Sequence, residues 1–176
     1  HHHHHLYDGC ALVATIPRPI HILVALDWIK NPAFGFGMER ACRAARWPVV
    51  LRTDGPNPPS RQEAKAALRT ATREMLDLLR QGRIVVVFPE AYPNIDPGWT
   101  PKSAETPFLP FHPGAIRFAA MAARAGLAVP VIPAGFAYQP GPRWRVALRF
   151  GPPLAIGRDE TAALADLEAE VRRLSA

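Results

Sequence analysis

Short apolar segments alternate with amphipathic helical segments along most of this chain, and this alternation limits the folds it can adopt. The clearest helix should begin at Ser60, because Glu63 completes a capping box with it, and it should end at Gly82. The run at 84–88, Ile-Val-Val-Val-Phe, follows immediately and is typical of a parallel strand buried on both faces. The pattern predicts an α/β fold: a single domain over residues 1–176, with a mixed, mostly parallel sheet flanked by helices.

The other elements extend the same pattern. Apolar strands are predicted at 20–26, 48–52, 129–132 and 143–150, and helices at 10–16, 38–46 and 114–125, with an amphipathic C-terminal helix that carries Leu164, Leu167, Val171 and Leu174. The segment from Pro89 to Pro110 is rich in proline and longer than an ordinary connection. Loops of that length in a compact domain usually carry function, so the chemistry of the chain is expected near this segment.

Charge and composition narrow the possible partners. The chain has 176 residues, a formal net charge of +6 and a pI near 10.0, which favours an anionic partner such as a nucleic acid, a phosphorylated metabolite or an acidic membrane surface. Its aromatic residues are not interleaved with a basic stripe and no nucleic-acid motif occurs, so nucleic acid is not expected. No apolar run reaches the roughly 18 residues of a membrane-spanning helix. The two cysteines, Cys10 and Cys42, are too few for a disulfide framework and indicate a reducing compartment.

The chain opens with five histidines, His1–His5, and Asp8 follows shortly after them. A terminal polyhistidine run is usually an added purification handle. Alternatively, His3 and Asp8 form a His-x4-Asp pair, in which the histidine is a general base and the aspartate orients its imidazole. The spacing does not decide between the two, because with five consecutive histidines any aspartate at positions 6–10 completes the pattern. A metal site is not expected, since no Cys-His or His-x-x-x-His set follows.

Three further segments place functional residue types at the ends of predicted strands. Phe88-Pro89-Glu90 closes the most apolar strand, and the carboxyl ends of strands are where α/β sheets bind ligands. Arg52 ends another strand, and its forked guanidinium suits a phosphate or a carboxylate. The run Pro133-Ala134-Gly135 follows the 129–132 strand, where backbone without bulky side chains can approach another group closely. Each segment also has a purely structural explanation: a solvated loop carboxylate, a surface charge and core packing.

These segments, taken in chain order, resemble the four sequence blocks of the PlsC-like glycerolipid acyltransferases, the lysophosphatidic-acid acyltransferases. The blocks are His3-x4-Asp8, Arg52, Phe88-Pro89-Glu90 and Val129–Phe136. The resemblance spans nearly the whole chain, and four blocks in the right order are more specific than any one alone. It implies a glycerol-3-phosphate acyltransferase-like fold. It also implies an enzyme that moves a fatty acyl group from acyl-CoA or an acyl carrier protein to a hydroxyl of a lysophospholipid or related acceptor.

The resemblance implies a mechanism for the histidine and the aspartate. His3 would take the proton of the acceptor hydroxyl as its oxygen attacks the acyl thioester, while Asp8 holds the imidazole in the right tautomer. No covalent acyl-enzyme, metal or cofactor beyond the acyl thioester is implied. Such an enzyme is expected in the cytoplasm, peripherally associated with the anionic inner face of the membrane. The abrupt start at histidines also suggests that a native N-terminal leader is missing.

The resemblance also assigns the substrate-binding positions. They are Arg52, Phe88, Pro89, Glu90, Pro133 and Gly135. Arg52 would bind an anionic head group of the acceptor, and Glu90 would bind its hydroxyls or a local arginine network. The segment 133–135 would shape the acyl or thioester end of the site.

Several residues depart from the usual family pattern. His2 stands where the family has Asn, His5 where it often has Ser, and His112 where a Lys is common. The third block continues as Ala91-Tyr92-Pro93-Asn94 rather than Gly-Thr-Arg-Ser, which removes an arginine contact to phosphate. These departures argue against glycerol phosphate as the acceptor more than they argue against acyl transfer. Two other functions stay open: a thioesterase or other ester hydrolase using the same His-Asp pair, and a non-enzymatic basic module that docks on a membrane.

Overall fold

A computed structural model describes residues 5–26, 29, 31–51, 58–90, 108–139, 145–157 and 159–176, with side chains from residue 8 onward. In chain order the described elements are α1 (His5–Thr15), β1 (Ile20–Ile22), β2 (Val24–Ala25), α2 (Pro32–Ala45), β3 (Val49–Val50), α3 (Arg61–Arg80), β4 (Ile84–Val86), α4 (Gly114–Arg124), β5 (Ala134–Gln139), β6 (Arg145–Phe150) and α5 (Glu160–Leu174). The mixed α/β class is therefore confirmed. The strands among these residues pair in three two-stranded sheets, so a continuous, mostly parallel sheet stays a prediction.

The chain divides into two compact units. One is Arg18–Phe88, and the other combines His1–Pro17 with Pro89–Ala176. The interpretation of residues 1–176 as a single domain stays a prediction.

The unit Arg18–Phe88 contains the two parallel strand pairs. Strand β1 pairs with β4 in the register Ile20↔Ile84, and β2 pairs with β3. Helix α3 packs against β3 and β4 through a stripe of buried residues that includes Ala71, Met75 and Leu78. Parallel pairs need helical crossovers, so this arrangement follows from the alternation of strands and helices along the chain.

The predicted limits of α3 are confirmed. The Ser60 side chain accepts a hydrogen bond from the backbone N–H of Glu63 at 3.2 Å, and the Glu63 carboxylate accepts one from the Ser60 N–H at 2.8 Å. This reciprocal pair satisfies two N–H groups that the first turn of a helix leaves without partners. Gly82, just past the helix, has φ of +67°, the left-handed conformation that glycine adopts most easily.

Helix α2 begins six residues earlier than the predicted start at residue 38. The Asn31 side chain accepts hydrogen bonds from the N–H groups of Ala33 and Phe34 at 2.9 and 3.2 Å, and Pro32 occupies the first turn. Gly35 and Gly37 lower the helix propensity of this segment, which is why the periodic pattern alone missed it. The asparagine cap and the proline supply a helix start that compensates for the glycines.

The other unit is built from an antiparallel hairpin and a helical core. Strands β5 and β6 pair from Ala134↔Phe150 to Gln139↔Arg145. A buried cluster joins α4 and α5 and consists of Phe111, Ile116, Ala163 and Leu167. Around this cluster pack partly buried apolar residues of the following loops and of α5.

The strand predicted at 129–132 is wrong in position. Within that segment Val131 forms only an isolated bridge with Leu154, and the regular strand begins at Ala134. Pro130 and Pro133 have no N–H to donate to a ladder, so regular pairing starts only after them. Pro133 and Gly135 therefore lie at the beginning of a strand rather than at its end.

Candidate active site

Asp8 is a buried carboxylate in the first turn of α1. Only 3% of its surface is exposed, and α1 begins at His5, earlier than the predicted start at Cys10. The partial positive charge at a helix N-terminus favours a carboxylate there. A buried carboxylate is nevertheless costly unless it accepts hydrogen bonds, so Asp8 needs donors among its neighbours.

Tyr138 supplies one of those donors. Its hydroxyl donates a hydrogen bond to Oδ1 of Asp8, across 130 positions of sequence. Burial, and then the hydrogen bond to Asp8, raise the pKa of the Tyr138 phenol well above its ordinary value. The phenol therefore stays protonated at physiological pH and remains a donor.

Tyr138 could not be identified from the sequence, because a single tyrosine far from the histidine run carries no motif. The strand alternation gives only a weak signal. Phe136 and Tyr138 are two positions apart and so share one face of β5, and their ring centroids lie 6.4 Å apart in a stacked arrangement.

Gly135 packs closely against the end of α5. A Cβ atom at this position would lie 2.5 Å from Cβ of Leu174 and 2.6 Å from its carbonyl carbon. The Phe136 N–H donates to the Ser175 hydroxyl at 3.2 Å, and the Arg149 guanidinium donates to the Leu174 carbonyl at 2.9 Å. Core packing thus accounts for the glycine, and its role at the acyl end of the site stays a prediction.

Pro133 is fully buried, and its carbonyl accepts a hydrogen bond from the Gly151 N–H at 2.9 Å. The proline thus ties the start of β5 to the residue that follows β6. Its predicted contact with substrate stays a prediction.

Gly135→Ala should destabilise the protein by about 1–3 kcal/mol, the usual cost of forcing an extra methyl group into a packed site. The nearest atoms include backbone of Leu174 and Ser175, which cannot move aside as a flexible side chain would. The free energy of unfolding in urea measures the effect.

Gly37→Ala is the matched control, because an added Cβ there meets nothing within 4 Å in helix α2. Alanine is the better helix former, so this change should be neutral or stabilising by up to about 1 kcal/mol. Equal stability of Gly135→Ala and the unmodified protein would show that β5 and the end of α5 are not in close contact.

Pro89 and Glu90 accept hydrogen bonds from residues at the far end of the long segment that follows them. Oε2 of Glu90 accepts a hydrogen bond from the Leu109 N–H at 3.1 Å, and the Pro89 carbonyl accepts one from the His112 N–H at 2.8 Å. Leu109 is buried, which anchors the returning chain. One oxygen of Glu90 thus serves the backbone, while its role toward the acceptor stays a prediction.

Residues 108–111 also contact helix α5. Oε2 of Glu168 lies 3.4 Å from the Phe111 N–H, and Oε1 of the same carboxylate accepts from the Arg172 guanidinium at 2.6 Å. That guanidinium stacks over the Phe108 ring at 5.0 Å. Residues 108–112 are therefore held from two sides.

Of the remaining predicted site residues, only Phe88 lies within the described part of the chain. Phe88 is half-buried and follows β4 at the end of its unit. His3 and Arg52 lie outside the described residues, as do positions 91–94, so their predicted roles stay predictions.

The described part of the chain contains neither a metal-binding cluster nor a membrane-spanning helix. No group of three or more histidine, cysteine, aspartate and glutamate side chains could hold a metal ion there. None of the helices in the same part is both long and apolar enough to cross a bilayer.

Comparison with known proteins identifies the family. A family model described as Acyltransferase matches residues 1–137 of the 176. No curated protein and no solved structure matches the chain. Because the matched segment covers well over half of the sequence and contains all the blocks named above, the chain belongs to the Acyltransferase family, the PlsC-like family of enzymes that pass an acyl group from a donor to an acceptor.

Proposed function

We propose that this acyltransferase moves a fatty acyl group from an acyl thioester to a hydroxyl of a lysophospholipid or related acceptor, with His3 as the general base. The main support for the proposal is the environment of Asp8, whose carboxylate is buried and hydrogen-bonded in the first turn of α1. The family match begins at residue 1 and therefore includes both members of the His-x4-Asp pair. This overlap supports the interpretation of His3 as part of a native motif rather than a handle.

The chemistry is addition followed by elimination at the thioester carbon. His3 takes the proton of the acceptor hydroxyl as the acceptor oxygen bonds to the carbonyl carbon. The tetrahedral intermediate then breaks its carbon–sulfur bond, and the thiolate leaves with the proton that the imidazole returns. General base catalysis of this kind typically contributes about 10²- to 10⁴-fold.

Asp8 serves the base in this scheme. It accepts a hydrogen bond from the imidazole, which selects the tautomer whose other nitrogen faces the acceptor hydroxyl, and it stabilises the imidazolium that forms. An ionised carboxylate offers about four acceptor positions. It can therefore accept from the Tyr138 hydroxyl and from an imidazole together.

The acceptor and the donor are the other parts of the proposal. Arg52 binds the anionic head of the acceptor. The rest of the acceptor contacts Phe88, Pro89 and Glu90. The segment 133–135 shapes the acyl end, and the donor is acyl-CoA or an acyl carrier protein, with no further cofactor. The third block lacks its usual arginine, which favours acceptors other than glycerol phosphate.

We place the enzyme in the cytoplasm, on the anionic inner face of the membrane, where long-chain substrates reside. The formal net charge of +6 favours this location, since each Lys or Arg close to such a surface contributes about 1 kcal/mol. A glycerol-3-phosphate acyltransferase-like fold is part of the same proposal.

Arg52→Ala should raise KM for an anionic acceptor about 10- to 100-fold, because a hydrogen bond to a charged group contributes about 1.5–3 kcal/mol. KM for the acyl donor should change by less than about twofold. Steady-state kinetics with each substrate varied in turn separates the two effects.

The control for that variant is Arg69→Ala, which removes an exposed arginine from α3. It should leave both KM values unchanged. An equal effect of Arg52→Ala on donor and acceptor, or no effect, would exclude a role in binding the head group.

The experiment that tests the proposed function is a thiol-release assay with acyl-CoA and a panel of lysophospholipids, including acceptors without a free phosphate. Acyl carrier protein loaded with the same chain replaces CoA in a second series. We expect thiol release that depends on an acceptor. Release without any acceptor would instead establish a thioesterase, and no release across the panel would favour a non-enzymatic membrane-docking module.

A further inference from the structure

The buried carboxylate of Asp8 accepts a hydrogen bond from a residue that lies outside the segment matched by the family model. The match ends at residue 137, and Tyr138 is the next residue. Its hydroxyl donates to Oδ1 of Asp8, whose side chain is almost entirely removed from solvent. In such surroundings a donor both stabilises the carboxylate and fixes its orientation.

The position of the Tyr138 hydroxyl is well defined by its surroundings. Tyr138 lies in β5, where it pairs with Val146 of β6. Its half-buried ring stacks on Phe136 of the same strand, at an interplanar angle of 22°. The strand pairing and the stacked ring therefore fix the donor before substrate binds, as preorganised catalysis requires.

A neutral donor suits this place better than a cation would. An arginine or lysine beside Asp8 would form a charge-assisted pair and weaken the attraction between the carboxylate and an imidazolium. A phenol orients one carboxylate oxygen and leaves the negative charge in place. Because burial raises the pKa of Tyr138, the phenol keeps its proton over the working range of pH.

We propose that Tyr138 is a positioning residue of the acyl transfer reaction, which holds the Asp8 carboxylate in the orientation that the base requires. Tyr138 acts on catalysis through Asp8 and does not touch the substrates. This inference rests on the proposed function, in which Asp8 orients His3.

The test is a double-mutant cycle that combines Tyr138→Phe with Asp8→Asn. Tyr138→Phe removes the hydroxyl and keeps the ring that stacks on Phe136. We expect it to lower kcat about 10-fold and to change KM for donor and acceptor by less than about twofold. In the Asp8→Asn background the same change should alter kcat by less than about twofold, because the carboxylate it serves is already gone.

Ser175→Ala is the matched control. It removes a hydroxyl at the end of α5 that accepts a hydrogen bond from the Phe136 N–H. Phe136 lies in β5, the strand that also contains Tyr138. It should leave kcat unchanged, which separates the loss of the bond to Asp8 from a general loosening of β5. Unfolding midpoints and circular dichroism establish that each variant is folded before its kinetics are compared.

The outcomes distinguish the inference from the proposed function. If Tyr138→Phe retains full kcat while Asp8→Asn is impaired, the positioning role is overturned and the proposed function stands. If Tyr138→Phe lowers kcat equally in both backgrounds, its effect does not pass through Asp8 and the inference is again overturned. If Asp8→Asn is fully active, the His-Asp mechanism itself fails.

Discussion

Asp8→Asn should lower kcat by about 10³- to 10⁴-fold, with KM for donor and acceptor changed by less than about threefold. The amide keeps the shape of the side chain but offers an N–H where the proposed mechanism needs an acceptor, so the imidazole should be driven to the wrong tautomer. It also removes the negative charge that stabilises the imidazolium. The amide oxygen can still accept from the Tyr138 hydroxyl, so we expect a folded protein.

Asp159→Asn is the matched control for this variant. Asp159 caps α5 by accepting from the N–H groups of Thr161 and Ala162 at 2.9 and 3.1 Å. Asparagine is as good at this position as aspartate, so both stability and kcat should be unchanged. Steady-state thiol release measures both variants. An Asp8→Asn protein with more than about a third of the original kcat would remove Asp8 from the mechanism.

His3→Ala, with the other four histidines retained, should lower kcat by about 10²- to 10⁴-fold, because the variant lacks the proposed general base. Binding of acyl-CoA to the variant should be unaffected, since in the proposed mechanism the imidazole contacts only the acceptor hydroxyl. Single alanine changes at His1, His2, His4 and His5 provide four internal controls in the same run. Each should keep kcat within about threefold of the original.

The position at which kcat falls in the histidine scan is as informative as the size of the loss. A large loss confined to position 3 supports the His-x4-Asp pair. A large loss at a different position would move the base to that residue. Equal activity of all five variants would show that the run is dispensable, as expected for an added handle.

The parts of the fold set by local chemistry could be predicted from the sequence. The limits of α3 follow from the Ser60–Glu63 capping box and Gly82, and both features act within a few residues. The C-terminal helix, α5, was predicted from its apolar period and is confirmed, with Leu167 and Leu174 buried. Helix α4 was expected at 114–125 and is observed at Gly114–Arg124.

The elements that were predicted wrongly depend on competing local effects. The strand expected at 129–132 has the right apolar residues, but Pro130 within it and Pro133 just after it lack the N–H groups that a ladder needs. Helix α2 has the opposite problem, because two glycines hide a start that Asn31 and Pro32 provide.

The candidate site could be predicted only in part, because its contacts are long-range. Asp8 could be identified from the order of the four blocks, but nothing local connects it with a tyrosine 130 positions away. Close backbone approach was expected at Gly135, yet only the structure identifies the partner as the end of α5. Similarly, the bond from the Leu109 N–H to Glu90 joins the two sides of a long segment, which no local pattern indicates.

A mass balance of one reaction tests whether this chain transfers an acyl group from a thioester directly to a hydroxyl, as we propose. Thiol release, acylated acceptor, free fatty acid and the intact mass of the protein are followed together, with Asp8→Asn run in parallel. We predict equal amounts of thiol and acylated acceptor, no acyl adduct on the protein, and a parallel decrease of both products in the variant. Thiol release with free fatty acid and no acylated acceptor, or an acyl adduct that turns over, would contradict it.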